Sequence, residues 1–281
     1  MNYSKTTASV PNDIVIITFK QVLHSIVFCS VGLFVIITLW PIYLLGHFIP
    51  FIGTFCYCVT YSAAKIELRK AIKIRKKIFE YLKNYKNEKQ SEELKILEIG
   101  PGDGINFELY PPGSVISTLE INAHLYKQVD SIREKYSNMT IDNLMVGNIE
   151  NVKDIIQDNT FDVIVGTHLF CCVKQKDKGL LEVHRILKPG GMYLCYENIH
   201  YKKDQYPLLR IFQKCYAIFH KFLTLGCHGG SFDFDNILAR NGFDTSSLSY
   251  VFMEKLTIMY AFQVMGPAFK TTRNDSFINI V

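Results

Sequence analysis

Between Gln21 and Ala64 the chain contains no aspartate, glutamate, lysine or arginine. As one straight helix this stretch would run about 65 Å, against a bilayer hydrocarbon core of roughly 30 Å. It is also far longer than the ~7–15-residue apolar core of a cleaved signal peptide, which argues against that reading. Pro41, Gly46, Pro50 and Gly53 interrupt its middle. Two membrane arrangements fit: a helical hairpin, Val22–Trp40 and Phe48–Ala63, or a single span followed by a segment lying in the interface. A water-soluble buried helix pair is the third reading, but such pairs rarely stay uncharged for so long. Trp40, Tyr43, Tyr57 and Tyr61 suit a membrane–water interface.

Acids are scarce just beyond the run. Lys65, Arg69, Lys70, Lys73, Arg75, Lys76 and Lys77 face only Glu67, and positive charge beside a span favours the cytoplasmic side. Leu68, Ile72, Phe79 and Leu82 recur at helical spacing there. This segment reads either as a basic amphipathic helix on an anionic leaflet or as a solvated linker helix. It supplies more than the whole formal charge of +5, so basic residues gather beside the apolar run rather than around a nucleic-acid groove. Paired C-x-x-C spacing is also missing. Of eight cysteines, Cys29, Cys56 and Cys58 lie in the apolar run, and Cys171, Cys172 and Cys195 lie in or beside apolar strands. Neither a zinc site nor a disulfide framework follows, and free thiols fit a reducing, cytosol-facing domain. Cys56 and Cys58 suit membrane packing or, alternatively, palmitoylation. Three sequons, at Asn2, Asn138 and Asn274, are topology reporters. Tyr85 to Glu93 is a polar boundary.

What the chain has is concentrated after Leu94. Leu94–Leu97 reads as a buried strand, followed by Glu98-Ile99-Gly100-Pro101-Gly102-Asp103-Gly104 and a helix start at Ile105–Leu109. Glycines without Cβ atoms let a backbone approach a ligand closely, and a strand, glycine turn and helix start form a cofactor site. The spacing E-x-G-x-G-x-G is not the G-x-G-x-x-G of dinucleotide binders and points to S-adenosylmethionine. A second strand, Ser114–Leu119, ends at Glu120, an acid placed to accept hydrogen bonds from both ribose hydroxyls. Met145–Asn151 reads as a strand and polar turn in which Asn148 can bond the adenine amino group and Ile149 can cover the ring. Thr160–His168 is a fourth, buried strand carrying Thr167. Leu187-Lys188-Pro189-Gly190-Gly191 followed by Met192–Glu197 is a helix end, a turn and a fifth strand. Alternating strands and helices predict a parallel sheet covered on both faces.

This series resembles the class I methyltransferases. It is similar in particular to the membrane-anchored methyltransferase-like protein seven family, whose members look like alkyl thiol S-methyltransferases. The marks are Asn106-Phe107-x-x-Tyr110-Pro111-Pro112-Gly113, Leu187–Gly191 and Gly226-Cys227, with an apolar leader before the domain. The resemblance implies an α/β, Rossmann-like sheet with helices on both faces, preceded by an apolar anchoring segment. Residues 1–64 would be the anchor, 65–93 the basic juxtamembrane helix and linker, 94–270 the methyltransferase domain and 271–281 a tail. It also implies S-adenosylmethionine as cofactor, held by Glu98, Gly100, Gly102, Asp103, Gly104, Glu120, Asn148, Ile149 and Thr167, and no metal. Asp103 has a second reading as a helix cap. The chain departs from that family where threonine is usual and Asp103 stands, and where a small or apolar residue is usual and His168 stands. It also has Asn198 after Glu197 in place of histidine, Leu225 in place of an acid, and His228-Gly229-Gly230-Ser231 after Cys227.

The expected reaction is methyl transfer to a small lipophilic acceptor, an alkyl thiol above all, with O- or C-methylation of a quinone, sterol or lipid, or a non-catalytic scaffold, as alternatives. His168, at the carboxyl end of the fourth strand, and His228 are the candidate general bases; each also reads as a pocket-lining residue. Tyr206–Leu225 is an apolar lid or a core helix. Lipid would be met through residues 21–64 and the basic segment 65–77, at the endoplasmic reticulum or a lipid droplet, with the catalytic domain facing the cytosol and no nucleic-acid partner.

Overall fold

The structure, a computed structural model, describes residues 17, 19–49, 71–89, 93–136, 139–224, 232–253 and 256–271. The second arm of the expected hairpin, apart from its first two residues, together with Cys56, Cys58, His228, the Gly226–Gly230 turn and the sequon asparagines 2, 138 and 274, lies outside these residues.

A mixed sheet forms the centre. Strands β1 (Leu94–Ile99), β2 (Ser114–Glu120), β3 (Thr140–Val146), β4 (Phe161–Thr167) and β5 (Leu187–Asn198) run parallel, and β8 (Phe262–Lys270) pairs antiparallel with β5, β6 (Phe243–Asp244) and β7 (Ser249–Phe252). The order is β3-β2-β1-β4-β5-β8-β6. The chain therefore winds outward from β1 in one direction and returns to start again at β4. The crevice beyond the carboxyl ends of β1 and β4 is the switch point where open α/β sheets take their ligands.

Parity along the strands builds a core on each face, because successive side chains point to opposite sides. Leu94, Ile96, Val163, Val165, Met192, Leu194 and Tyr196 share one buried cluster, whereas Leu97, Ile99, Ile164, Tyr193 and Cys195 share the other. Among the described helices, α3 (Ala123–Ile132) contacts β2 and β3, while α4 (Lys176–Ile186) and α6 (Phe234–Arg240) contact each other and the β5, β6 and β8 region. Lys188–Gly191 bulges out of β5, since Phe161 pairs with Leu187 but Val163 pairs with Met192. A Cβ on Gly191 would sit 2.8 Å from the Lys188 carbonyl oxygen, so this bulge requires glycine.

Helix α2 (Ile72–Lys89) belongs to this packing. Ala71, Ile78, Phe79, Leu82 and Tyr85 are buried in the same cluster as Leu94 and Ile96. Lys73, Lys76 and Lys77 stay exposed, but Arg75 is buried. The apolar side of this basic helix is thus covered by the sheet and not free for lipid, which corrects the leaflet-bound reading for its described part. Its lysines remain outward.

Helix α1 (Phe19–Phe48) begins two residues before the charge-free run and extends into it. Its start is tied to the domain: the Gln21 side chain donates to the Leu256 and Met253 carbonyls, and the Ile258 N–H donates to the Ser25 hydroxyl at 3.0 Å. Among the described residues, no helix is long and apolar enough to cross a membrane. The first turns of the expected anchor are therefore a docked part of the fold.

Candidate active site

The glycine loop leaves β1 at the switch point. Gly100, Gly102 and Gly104 have φ of +67°, +60° and +75°, a left-handed backbone that glycine adopts without steric cost. The Gly100 N–H donates to the Leu119 carbonyl, joining the loop to β2, and the Gly104 N–H donates to the Pro101 carbonyl. No α-helix follows. The chain makes one short 3-10 turn, Phe107–Leu109, and then extends through Tyr110. This corrects the expected helix start. Pro111 and Pro112 cannot donate backbone N–H groups, and Pro111 biases Tyr110 toward extended backbone, so a helix cannot run on. Asp103 accordingly stands in a turn ahead of this 3-10 segment.

Glu98 lies beneath this loop and is only 1% exposed. One carboxyl oxygen accepts from Asn106 Nδ2 at 2.7 Å and the other from the Tyr110 hydroxyl at 2.8 Å. Asn106 also donates to Thr167 Oγ1 at 3.1 Å and accepts from Arg75 at 2.8 Å. Burial pushes the Glu98 carboxyl above its ordinary range, while Asn106, Tyr110 and the Arg75 charge oppose that shift. Both Glu98 oxygens are thus engaged by residues of the segment that follows the glycine loop, which ties the end of β1 to that segment. Thr167 is drawn into the same network at the end of β4.

At the end of β2, Glu120 is 5% exposed. The Asn122 N–H donates to it at 2.9 Å, and the neighbouring backbone of Asn122, Gly102 and Ile121 favours its ionised form. Desolvation nevertheless raises its carboxyl above the usual range. The glycine loop and the acid thus form one cradle, a backbone ring beside an anionic acceptor, which fits a ribose bearing two adjacent hydroxyls. Asn148 lies at the next strand end, where its side-chain oxygen accepts from the Glu150 N–H and caps the turn Ile149–Asn151. Ile149 is buried and packs near Gly179 of α4.

His168 follows β4 directly, across the crevice from the loop. Its φ of +52° is left-handed, uncommon for a residue with a Cβ. The chain holds it there firmly. Its N–H donates to the Tyr196 carbonyl at 2.7 Å, and its ring meets the Tyr196 ring edge-on at 4.5 Å between centroids. The next two N–H groups, of Leu169 and Phe170, both donate to one oxygen of Glu197 at 2.7 Å. Such strain persists only because these contacts over-determine the turn. Glu197 had no role in the sequence reading, because its partners lie in the turn after β4, 28 and 27 residues back. It is the positioning residue of this turn. Glu197→Gln should lower stability by about 1–2 kcal/mol in a urea melt, since a neutral amide oxygen accepts two N–H bonds less well than a carboxylate.

A second polar chain lies beside it: the Tyr196 hydroxyl donates to Gln263, whose amide donates to Asn198. Asn198 is therefore tied to β8. His200, just past β5, faces Asp233, and burial lowers its pKa from the ordinary value.

Comparison with known proteins gives this geometry a chemistry. Residues 97–195 match the family described as Methyltransferase domain. Thiol S-methyltransferase TMT1B of Rattus norvegicus is 29% identical over 185 residues, 66% of this chain and 74% of the relative. Thiol S-methyltransferase TMT1A of Homo sapiens is 34% identical over 110 residues, 39% of this chain but only 44% of that relative's length. A crystal structure described as a methyltransferase from Bacillus halodurans superposes with a TM-score of 0.51 at 15% identity, over 65% of this chain and 94% of that one, which bears on the fold alone. With the glycine ring and Glu120 in place, the cofactor of this site is S-adenosylmethionine.

Proposed function

We infer that this chain, a class I S-adenosylmethionine-dependent methyltransferase, passes its methyl group to a small lipophilic thiol while held at a membrane. The observation that carries the reading is the meeting, at one switch point, of a ribose cradle on β1 and β2 with a strained, partly exposed histidine on β4. The thiol is supported by the activity for which the two mammalian relatives are named.

When bound, the cofactor supplies an electrophilic methyl on a sulfonium. The chain has three tasks. Gly100, Gly102, Gly104 and Asp103 shape the methionine end of the pocket, Glu120 takes the ribose, and Asn148 with Ile149 borders the adenine. His168 accepts the acceptor's proton, so that a thiolate, the competent nucleophile, faces the methyl. The Tyr196 and Glu197 contacts keep the imidazole aimed without a reorganisation cost during the reaction.

Membrane attachment is supported by α1, where Leu23, Ile26, Val27, Leu33, Phe34 and Ile37 are all exposed. Exposed cysteines outside any disulfide, Cys172 and Cys215, fit the reducing, cytosolic side of that membrane. The endoplasmic reticulum or a lipid droplet is the compartment proposed.

The test is transfer from labelled S-adenosylmethionine to matched thiol, phenol and quinol acceptors by detergent-solubilised protein. Methylation of the thiol alone is expected. Transfer to the phenol or quinol instead would reassign the acceptor, and binding without any transfer would leave a scaffold. His168→Asn should lower kcat by about 10²-fold and flatten the acid limb of the pH–rate profile. Asparagine tolerates the left-handed backbone, so the loss reports chemistry rather than strain. An unchanged profile removes His168 from the mechanism.

A further inference from the structure

Two neighbouring helices turn an apolar stripe outward and bury polar side chains beneath it. In α5 (Pro207–Thr224), Leu208, Ile211 and Phe212 are 79%, 58% and 45% exposed, and Cys215 is exposed with them. The spacing i, i+3, i+4, i+7 puts these four on one stripe. The inward side carries Gln213, buried, whose amide donates to the Ile199 and Met259 carbonyls and accepts from the Tyr201 N–H at 2.8 Å. The docked start of α1 shows the same inversion. Gln21 and Ser25 point inward and bond the domain, while Val22, Leu23, Ile26 and Val27 point out.

These inversions lie on one edge of the molecule. Helix α1 packs against α5 and against the turn Ile258–Tyr260, whose Met259 carbonyl Gln213 holds. Cys29 of α1 and Leu209 of α5 pack on the same core. A water-facing helix puts polar residues outward, and apolar stripes of this kind mark contact with another phase or partner. Among the described residues, exposed Lys20, Lys203 and Lys214 stand along this edge against one exposed acid, Asp204, which favours an anionic surface.

We propose that the Leu208–Ile211–Phe212–Cys215 stripe of α5 rests among the acyl chains of an anionic bilayer as a second membrane contact continuous with α1. This rests on the membrane attachment inferred above but goes beyond it. It makes the catalytic domain itself lipid-facing, and it ties that face through Gln213 to the end of β5. An apolar acceptor then reaches the crevice from the bilayer.

Trp40 is the sole tryptophan, which gives a direct test. Full-length Trp40→Phe/Phe212→Trp protein is reconstituted with vesicles of phosphatidylcholine and phosphatidylserine, with or without brominated acyl chains. The proposal expects bromolipid to quench position 212 at least threefold more than aqueous acrylamide does. Protein that floats with the vesicles yet is quenched by acrylamide alone overturns the proposal and leaves α1 attachment standing. Protein that does not float at all removes the attachment reading as well. Resistance to both quenchers with a doubled mass in detergent assigns the stripe to a second copy and overturns the lipid assignment. In parallel, Leu208→Lys/Phe212→Lys should weaken vesicle binding about tenfold, with turnover of a water-soluble thiol in detergent unchanged. Equal binding by this variant also counts against the proposal.

Discussion

Asn106→Leu should destabilise the fold by about 3–5 kcal/mol and weaken S-adenosylmethionine binding by at least 100-fold. Leucine keeps the heavy-atom count and branching of asparagine, and its bulkier methyl groups add an overpacking cost at this buried position. What also changes is the satisfaction of buried charge. Asn106 accepts from Arg75 and donates to Glu98 and Thr167. Arg75 and Glu98 are each 1% exposed, so neither can turn to water for a replacement partner, and an unpaired buried polar group costs the full desolvation. The cofactor effect follows from position. The Asn106 carbonyl closes the turn after the glycine loop by accepting from the Leu109 N–H, and Glu98 lies directly below. A urea melt gives the first quantity and calorimetric titration the second. If the network acts as a unit, Arg75→Met in the Asn106→Leu background will recover part of the stability, since removing a buried charge helps once its partner is gone. Strictly additive losses would show that Arg75 and Asn106 act independently.

Strand positions were readable because their signals are local. The apolar runs of β1, β2 and β4 end where the glycine loop, Glu120 and His168 begin, and each end carries a residue whose type already states its use. The helix expected after the loop was not to be had from the glycine pattern. The deciding residues, Pro111 and Pro112, lie downstream, and the donors that a helix would have engaged serve elsewhere. Arg75 looked like one cation in a basic face, since charge alone does not reveal a residue that is buried by an asparagine 31 positions away. Helix α5 shows a different limit. Its periodicity announces an apolar stripe but not which way the stripe faces. Only Gln213, a polar residue opposite the stripe, hints that the apolar side is outward, and the backbone groups it bonds, of Ile199, Tyr201 and Met259, lie outside the helix. Glu197 is the same case in the site: its oxygen is used by a turn belonging to another strand.

Glu120→Ala should cost about 10²–10⁴-fold in S-adenosylmethionine affinity, as two charge-assisted hydrogen bonds to the ribose hydroxyls contribute about 1.5–3 kcal/mol each. Its pH dependence separates this from a general loss of shape. Desolvation raises the folded Glu120 carboxyl above its ordinary range, so between the unfolded and folded values the folded protein holds more protons. Folding stability contributed by this group therefore falls as pH rises through that window. Cofactor binding runs the other way. The ionised carboxylate is the form that accepts both hydroxyls, so affinity rises with pH through the same raised value, and binding releases a proton there. The ligand-induced thermal shift should thus grow from mildly acid to neutral pH. Glu120→Gln keeps the shape and cannot ionise, so its weaker affinity should be flat across the range. A wild-type affinity independent of pH, or a glutamine variant that keeps the slope, would place the titrating group elsewhere in the cradle and take the ribose away from Glu120.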